Sequence, residues 1–452
     1  MSADHPPQPD PALADRPVEL LQALVRFDTT NPPGDERPCV EWVESLLSAA
    51  GFATETYAAD PDRPNLVARL PGGDASPLML YGHVDVVPTE GQDWTHPPFD
   101  AVVEDGFVWG RGTLDMKSGV AMMLAAALRA AREDTDLAGD LVVMVLSDEE
   151  AGGDHGAEFM ATEHPEVFEG VEYALGEFGG FSMDLAGQRL YPIQTNEKAI
   201  CWSKLTFHGP GGHASRGSRG GAMVDMAKTV RILDEERLPV HVTPSVEQMV
   251  ERMAGELGGA VGDSLRDLLD PEKTDEVLDT LGDAGRMLDP LLHNTAAPTV
   301  VRGGDKENVL PAEVSLTLDC RILPGQTDED LERELRALIP ETVEFDFEVV
   351  RYEPFPSDPD LGLFDLLADT LESADPGARA VPFVLQAGTD ARHLAQAGVQ
   401  SYGFTPMRLP EGFDLMEMAH AADERIPTEA VGFGADRIHE VIERYDGSHV
   451  EN

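Results

Sequence analysis

The sequence predicts an α/β protein: a mixed, largely parallel sheet flanked by helices, with a second, smaller α+β domain inserted into it. Three observations predict this. Short apolar runs of strand length alternate with helix-periodic stretches as far as Leu175. Near Glu197 the texture changes to a strand, a glycine-rich loop and a long acidic tract. From Pro354 long helical patterns return, as expected if the first domain resumes after an interruption. A chain of 452 residues also exceeds one ordinary core. The expected division is residues 1–196 and 354–452 for the larger domain and 197–353 for the inserted one.

In chain order, Val18–Phe27 and Glu36–Ala50 carry apolar residues at helical spacing, and Gly51 is placed to end the second helix. Strands are expected at Asn65–Leu70, Leu78–Val84, Leu141–Leu146 and Tyr173–Leu175, with a helix of small residues, Ser118–Arg132, between the middle pair. In a parallel sheet of this kind, ligand sites gather outside the carboxyl ends of the strands. The inserted part reads as strand Ala199–Phe207, loop Gly209–Gly221, helix Ala222–Leu233 and an acidic helix-prone tract at 234–292. Strand Val314–Cys320, helix Asp328–Ile339 and strand Val343–Val350 follow it. The last helices are expected at Leu361–Ala374, Asp390–Ala397 and Thr428–Tyr445.

Composition narrows the setting. There are 84 Asp plus Glu against 33 Lys plus Arg, a formal net charge of -51. Such self-repulsion strains a compact state in dilute buffer and is screened at about 1 M salt, where the Debye length falls to roughly 3 Å. With lysine only at positions 117, 198, 204, 228, 273 and 306, the expectation is a cytoplasmic protein of a salt-rich interior. The acidic balance argues against nucleic acid as a partner, since phosphate binding needs clustered cations. Cys39, Cys201 and Cys320 show no paired spacing, which fits a reducing compartment. The Pro- and Asp-rich N-terminus lacks the basic and apolar regions of a secretory signal, and no apolar run is long enough to span a bilayer.

Candidate chemistry sits at the strand ends. In LMLYGHVDVVP, Leu78 to Pro88, an apolar run ends in His83 and Asp85, two apart and so on one face of a strand. Gly82 allows a close approach where the polar residues begin. A neutral imidazole suits zinc, and the carboxylate can orient it or bind the metal itself; the stretch alone fits equally a His–Asp pair that bonds only to itself. Asp115, in the glycine-rich WGRGTLDMKSG, reads in isolation as the N-cap of the next helix. Asp148, Glu149 and Glu150 follow the Leu141–Leu146 strand; a cation would offset their mutual repulsion, and a solvated loop is the alternative. Glu177, after the fourth strand, repeats the pattern, and His420 lies in MAHAADERIP.

In this order GHVDVVP, GRGTLDMKSG, SDEE, GEFGG, GGHAS, NVLPAE, DCRILPG, AGTDAR and HAADE resemble the co-catalytic zinc amidohydrolases. That family includes acetylornithine deacetylase, succinyl-diaminopimelate desuccinylase, aminoacylases and carboxypeptidases G and S. The resemblance runs from about Val18 to Tyr445. It implies a zinc-peptidase-like catalytic domain with an inserted lid and dimerisation domain. It also implies two Zn²⁺ per subunit, for which Co²⁺ or Mn²⁺ could substitute. Asp115 would bridge the ions, His83 and Glu177 would complete one, and Glu150 and His420 the other. Asp85 would orient His83, and Glu149 would be the general base acting on a metal-bridging water. His213 of GGHAS would serve the oxyanion, in cis or across a homodimer formed by the lid. Arg321 and Asn308 would grip a substrate carboxylate, with Gly388 and Thr389 adding hydrogen bonds. The residues themselves leave open a turn Asn and a strand Arg paired with Asp319, and Asp390 as the cap of its helix. The implied reaction is hydrolysis of the amide of an N-acyl amino acid or dipeptide with a free carboxylate. Alternatives are a biosynthetic desuccinylase or deacetylase, or an inactive metal-binding relative. The tract at 234–292 is longer than the lids of the simplest members, and HAADE departs from stricter forms of its motif.

Overall fold

The computed structural model describes residues 7–185, 187–217, 219–356 and 359–447. The first six residues of the N-terminus and residue 218 of the glycine-rich loop lie outside them. The chain divides into two units: one takes residues up to Thr195, Asp360–Phe383 and everything from Thr389, the other Asn196–Pro359 and Val384–Gly388. The short Val384–Gly388 segment, expected with the larger domain, therefore packs with the smaller one.

The first unit is built on a sheet whose strands run, in spatial order, Ala53–Tyr57, Asn65–Leu70, Gly139–Leu146, Ala75–His83, Tyr173–Gly176, Gln400–Gly403, Gln188–Glu197 and Arg379–Leu385. Its heart is parallel: Ala75–His83 pairs in that sense with Gly139–Leu146 and Tyr173–Gly176. Leu78 to Tyr81 and Leu141 to Leu146 are buried throughout, as strands covered on both faces must be. The strand ends therefore align, His83 opposite Leu146, and the residues that follow each strand emerge side by side.

The helix Lys117–Glu133 crosses this heart. Its small residues from Val120 to Leu128 are all buried, so neighbouring elements approach closely. A Cβ on Gly434, in the helix Thr428–Arg444, would lie 2.2 Å from Met122 Sδ. One on Gly82 would lie 2.5 Å from Met116 Cε, so the turn that carries Asp115 is seated directly on the His83 strand. A small sheet of Val102–Glu104, Phe107–Trp109 and Arg425–Pro427 pairs Arg425 with Trp109 and brings the segments around 110 and 420 together.

The second unit is an antiparallel sheet ordered Thr295–Arg302, Glu313–Ile322, Ala199–His208 and Phe345–Glu353. Along Ala199–His208 every second residue is buried, with Cys201, Leu205 and Phe207 facing a core shared with Leu316, Leu331 and Leu335. The acidic tract forms four helices, Pro244–Leu257, Gly259–Asp267, Thr274–Leu281 and Asp283–Leu292.

Several strands went unread in the sequence. Thr295–Arg302 is exposed from Ala297 onward and shifts register beside Pro298, so it carries no apolar alternation. Gln188–Glu197 is mostly buried yet rich in polar residues. The three cysteines are buried free thiols. No described helix is long and apolar enough to cross a membrane.

Candidate active site

His83 ends the central strand and is almost fully buried. Its Nδ1 lies 3.1 Å from the Asp85 carbonyl and 3.3 Å from Asp85 Oδ1, which turns Nε2 outward from the sheet edge. That nitrogen lies 3.2 Å from Asp115 Oδ1, 3.4 Å from Glu177 Oε2 and 4.0 Å from Glu149 Oε2. On the other side, His420 Nε2 lies 3.1 Å from Asp115 Oδ2 and 3.3 Å from Glu150 Oε1. Asp115 thus faces a histidine with each of its oxygens. Taken as a helix cap it would point elsewhere: the N-cap of Lys117–Glu133 is Met116, which makes no capping bond.

Two donor groups are formed, His83 with Glu149 and Glu177, and Asp115 with Glu150 and His420; within each, the donor atoms lie within 4.8 Å of one another. Contacts of 3.1 to 3.4 Å are spaced like neighbouring ligands on a tetrahedron with bonds of about 2.0 to 2.2 Å. The donor set, imidazole nitrogen and carboxylate oxygen, suits zinc, cobalt or manganese.

The electrostatics of the cluster favour added positive charge. Burial pushes Glu149 well above the usual carboxylate range, with Glu177, Asp390 and Glu150 adding to it. Burial likewise raises Glu177, and it raises Glu150 to about 7. Burial opposes charge on His83, but bonds to Asp115, Asp85 and Glu177 outweigh it and hold the imidazole well above its ordinary value. Bonds to Asp115 and then Glu150 raise His420 to about 10. Burial works against the charge on Asp115, yet His420 and His83 keep it below the usual range. In the metal-free protein, protons therefore do the neutralising that divalent ions would do.

Behind the donors, Asp85 and Asp148 are held by buried groups absent from the sequence reading: Asn31, Arg63 and Glu36. Asp85 accepts the backbone N–H of Glu149 and of Glu150, each at 3.1 Å, and Asn31 Nδ2 at 2.8 Å. Asn31 also donates to Asp148 Oδ1 at 3.0 Å, and Arg63 Nη2 reaches that oxygen at 2.8 Å while its fork holds Glu36. Asp148 turns the chain in the left-handed region, φ 71°. A lone Asn near a Pro-Pro pair and a lone Arg give no local signal of this role.

The remaining expected residues lie as follows. His213 is exposed on a two-residue strand, Gly212–His213, paired with Val309–Leu310, so Asn308 stands beside it on the same ribbon. Its Nδ1 accepts the Ser215 N–H at 3.3 Å, which leaves the proton on Nε2. Arg321 grips Asp319 through Nε at 2.8 Å and one Nη at 3.2 Å. Gly388 is half-buried in the second unit, and Thr389, in the first, is buried with Oγ1 accepting from Ala391 N–H at 3.1 Å. Asp390 is not a side-chain cap: it makes no capping bond, and burial raises its carboxyl to about 7.

The profile of peptidase family M20/M25/M40 matches residues 79–444, and the chain belongs to that family. It is a metal-dependent hydrolase of peptide or amide bonds. A carboxypeptidase S-like 2 protein of Dictyostelium discoideum is 29% identical over 380 residues, 80% of this chain and 70% of that protein. A succinyl-diaminopimelate desuccinylase of Methylorubrum extorquens is 34% identical over 212 residues, 44% of this chain and 51% of the enzyme, so that match spans about half its length. Among solved structures, an M20 metallo-carboxypeptidase of Sulfolobus solfataricus superposes with a TM-score of 0.67 at 14% identity, covering 96% of this chain and 99% of that one. A di-peptidase of Saccharomyces cerevisiae gives 0.62 at 15% identity, covering 98% and 100%. At these identities the likeness is one of fold.

Proposed function

We propose that this protein holds two divalent ions, zinc in the first instance, and hydrolyses the amide bond of N-acyl amino acids or dipeptides that carry a free carboxylate. The observation that carries the reading is Asp115, whose two oxygens face His83 and His420 at 3.2 and 3.1 Å and so divide the donors between two positions. His83 and Glu177 would complete one position, and Glu150 and His420 the other. When bound, the ions polarise the scissile carbonyl and make water a stronger acid. Glu149, 4.0 Å from His83 and so the most distant of its carboxylates, is the group left to take a proton from water and pass it to the departing amine. Asp85 holds Glu149 and Glu150 by their backbone and orients His83.

Further residues would supply the rest. His213, with its proton on Nε2, is the donor to the oxyanion, from the same chain or a partner copy. Asn308, Gly388 and Thr389, with the Arg321 Nη that Asp319 leaves, take the substrate carboxylate. The exposed edge strand Thr295–Arg302, with Val300 and Val301 in solvent, supports a homodimer through the second unit. The charge of -51 supports a salt-rich cytoplasm as the working medium. The match to a carboxypeptidase S-like protein over 80% of this chain, against 44% for a succinyl-diaminopimelate desuccinylase, favours a dipeptide or N-acyl amino acid over a succinyl desuccinylase or acetylornithine deacetylase role.

The test is amine release by zinc- or cobalt-loaded protein in molar KCl, from N-acetyl, N-succinyl and long-chain N-acyl amino acids and a dipeptide panel. Turnover of one set, abolished by chelator, is the expected result. Two bound ions with no turnover of any set would favour the inactive metal-binding alternative.

A further inference from the structure

Two motif residues take no part in the chemistry above, and they meet. Arg111, of GRGTLD, and Glu424, of HAADE, are both fully buried, and Arg111 Nη1 donates to Glu424 Oε2 at 2.5 Å. The other oxygen of Glu424 accepts the Leu114 N–H at 2.6 Å and the Asp115 N–H at 3.3 Å. Arg111 Nη2 donates to the His420 carbonyl at 3.0 Å, and Nη1 to that of Ala421 at 3.3 Å. Gln92 accepts from Arg111 at 2.8 Å and donates to the same His420 carbonyl at 2.9 Å. One side chain thus holds the backbone that carries Asp115, its partner holds the backbone that carries His420, and the two hold each other.

The other donors are anchored differently. His83 ends a central strand, Glu177 directly follows one, and the Glu149–Glu150 backbone is held by Asp85. His420 belongs to no helix or strand, adopts φ 64° and leaves its side chain about half exposed. Its position rests on the carbonyl bonds from Arg111 and Gln92 more than on any packed element.

We propose that the buried Arg111–Glu424 pair is a positioning device that acts mainly on one metal, the ion held by Asp115, Glu150 and His420. Asp115, which serves both ions, is also anchored by the neighbouring Met116 against Gly82 of the His83 strand, whereas His420 serves that ion alone. This rests on the two-metal reading. A merely structural role is separable, because a buried ion pair replaced as a pair by apolar side chains commonly leaves stability unchanged or improved. The variant is therefore the double replacement Arg111→Met with Glu424→Met, which keeps the packing and removes the bonds to both loops.

The experiment titrates metal-free protein with Co²⁺ in molar KCl, following heat and cobalt absorbance, alongside urea unfolding. The wild type is expected to bind two ions. The double variant is expected to stay folded, with a urea midpoint near that of the wild type, and to bind the first ion with little loss. Its second ion should bind about 10- to 100-fold more weakly, the usual effect of losing a group that orients a ligand. Excess Co²⁺ should then restore the second-ion absorbance. Two ions bound as in wild type, or both weakened equally, would overturn the proposal. If the double variant does not fold, Gln92→Ala decides, since Gln92 is only half-buried and its hydrogen bond to His420 is to the carbonyl. A second ion weakened several-fold supports the proposal, and an unchanged one overturns it. A wild type that binds fewer than two ions would instead bring down the two-metal reading, and this inference with it.

Discussion

Replacing Arg63 with Met tests whether the groups behind the donors act as the geometry says. Arg63 has a side chain 8% exposed; one Nη lies 2.8 Å from Glu36 and 2.8 Å from Asp148, whose side chains are 0% and 3% exposed. Methionine keeps much of the stem's volume and leaves two carboxylates buried with no cation. Removing one partner of a buried pair costs about 3 to 5 kcal/mol, and here two carboxylates lose the same partner, which points to the upper part of that range. Glu36 sets a pH signature. Burial already raises its pKa in spite of the Arg63 bonds, and without Arg63 it rises further. An acid whose folded pKa lies above its unfolded value of about 4.3 begins to destabilise the fold as pH rises past the unfolded value, does so fully above the folded value, and is relieved as pH falls back between the two. The assay is urea unfolding of metal-free wild type and variant in molar KCl, at pH near 8 and near 5.5. The expected loss is larger at the higher pH. A loss under about 1 kcal/mol at pH 8, or an equal loss at both, would refute the reasoning, because it would mean that solvent reaches these carboxylates.

Two further expectations concern the donors. Glu149→Gln should still bind two ions, counted by titration, while amine release falls by about 10²- to 10⁴-fold; normal turnover in a metal-loaded variant would remove Glu149 from the role of base. Metal uptake near pH 8 should release protons, because bonds to Asp115 and Glu150 hold His420 protonated up to about 10 and an ion needs the neutral imidazole. Affinity should accordingly rise with pH as far as about 10. In the metal-free chain, the stability that His420 contributes is fully present below its free value of about 6.5 and is lost as pH rises through about 10. Calorimetry in buffers of different ionisation enthalpy counts the protons, and a count of zero would contradict the donor assignment.

Much of the first unit could be read from the chain because its signals are local. Leu78 to Val84 is apolar and then abruptly polar, so both the strand and the place where His83 leaves it follow from period and length. The Leu141 and Tyr173 strands end the same way, ahead of Glu149, Glu150 and Glu177. Thr295–Arg302 was missed because half-exposed edge strands with a proline carry little pattern. Asp115 and Asp390 looked like helix caps because a carboxylate before a helix is one in most settings; their actual environments come from elsewhere in the chain.

The sequence by itself determined which segments form the strands of the parallel heart and which residues at their ends could serve as metal donors, since burial and polarity alternate within a few residues of one another. Only the tertiary structure decided how those donors divide and what holds them. Asp115 lies between His83 and His420, 32 and 305 positions away along the chain, and Arg111 finds Glu424 across 313. The strength of such pairs depends on distance and dryness in space, and separation along the chain encodes neither.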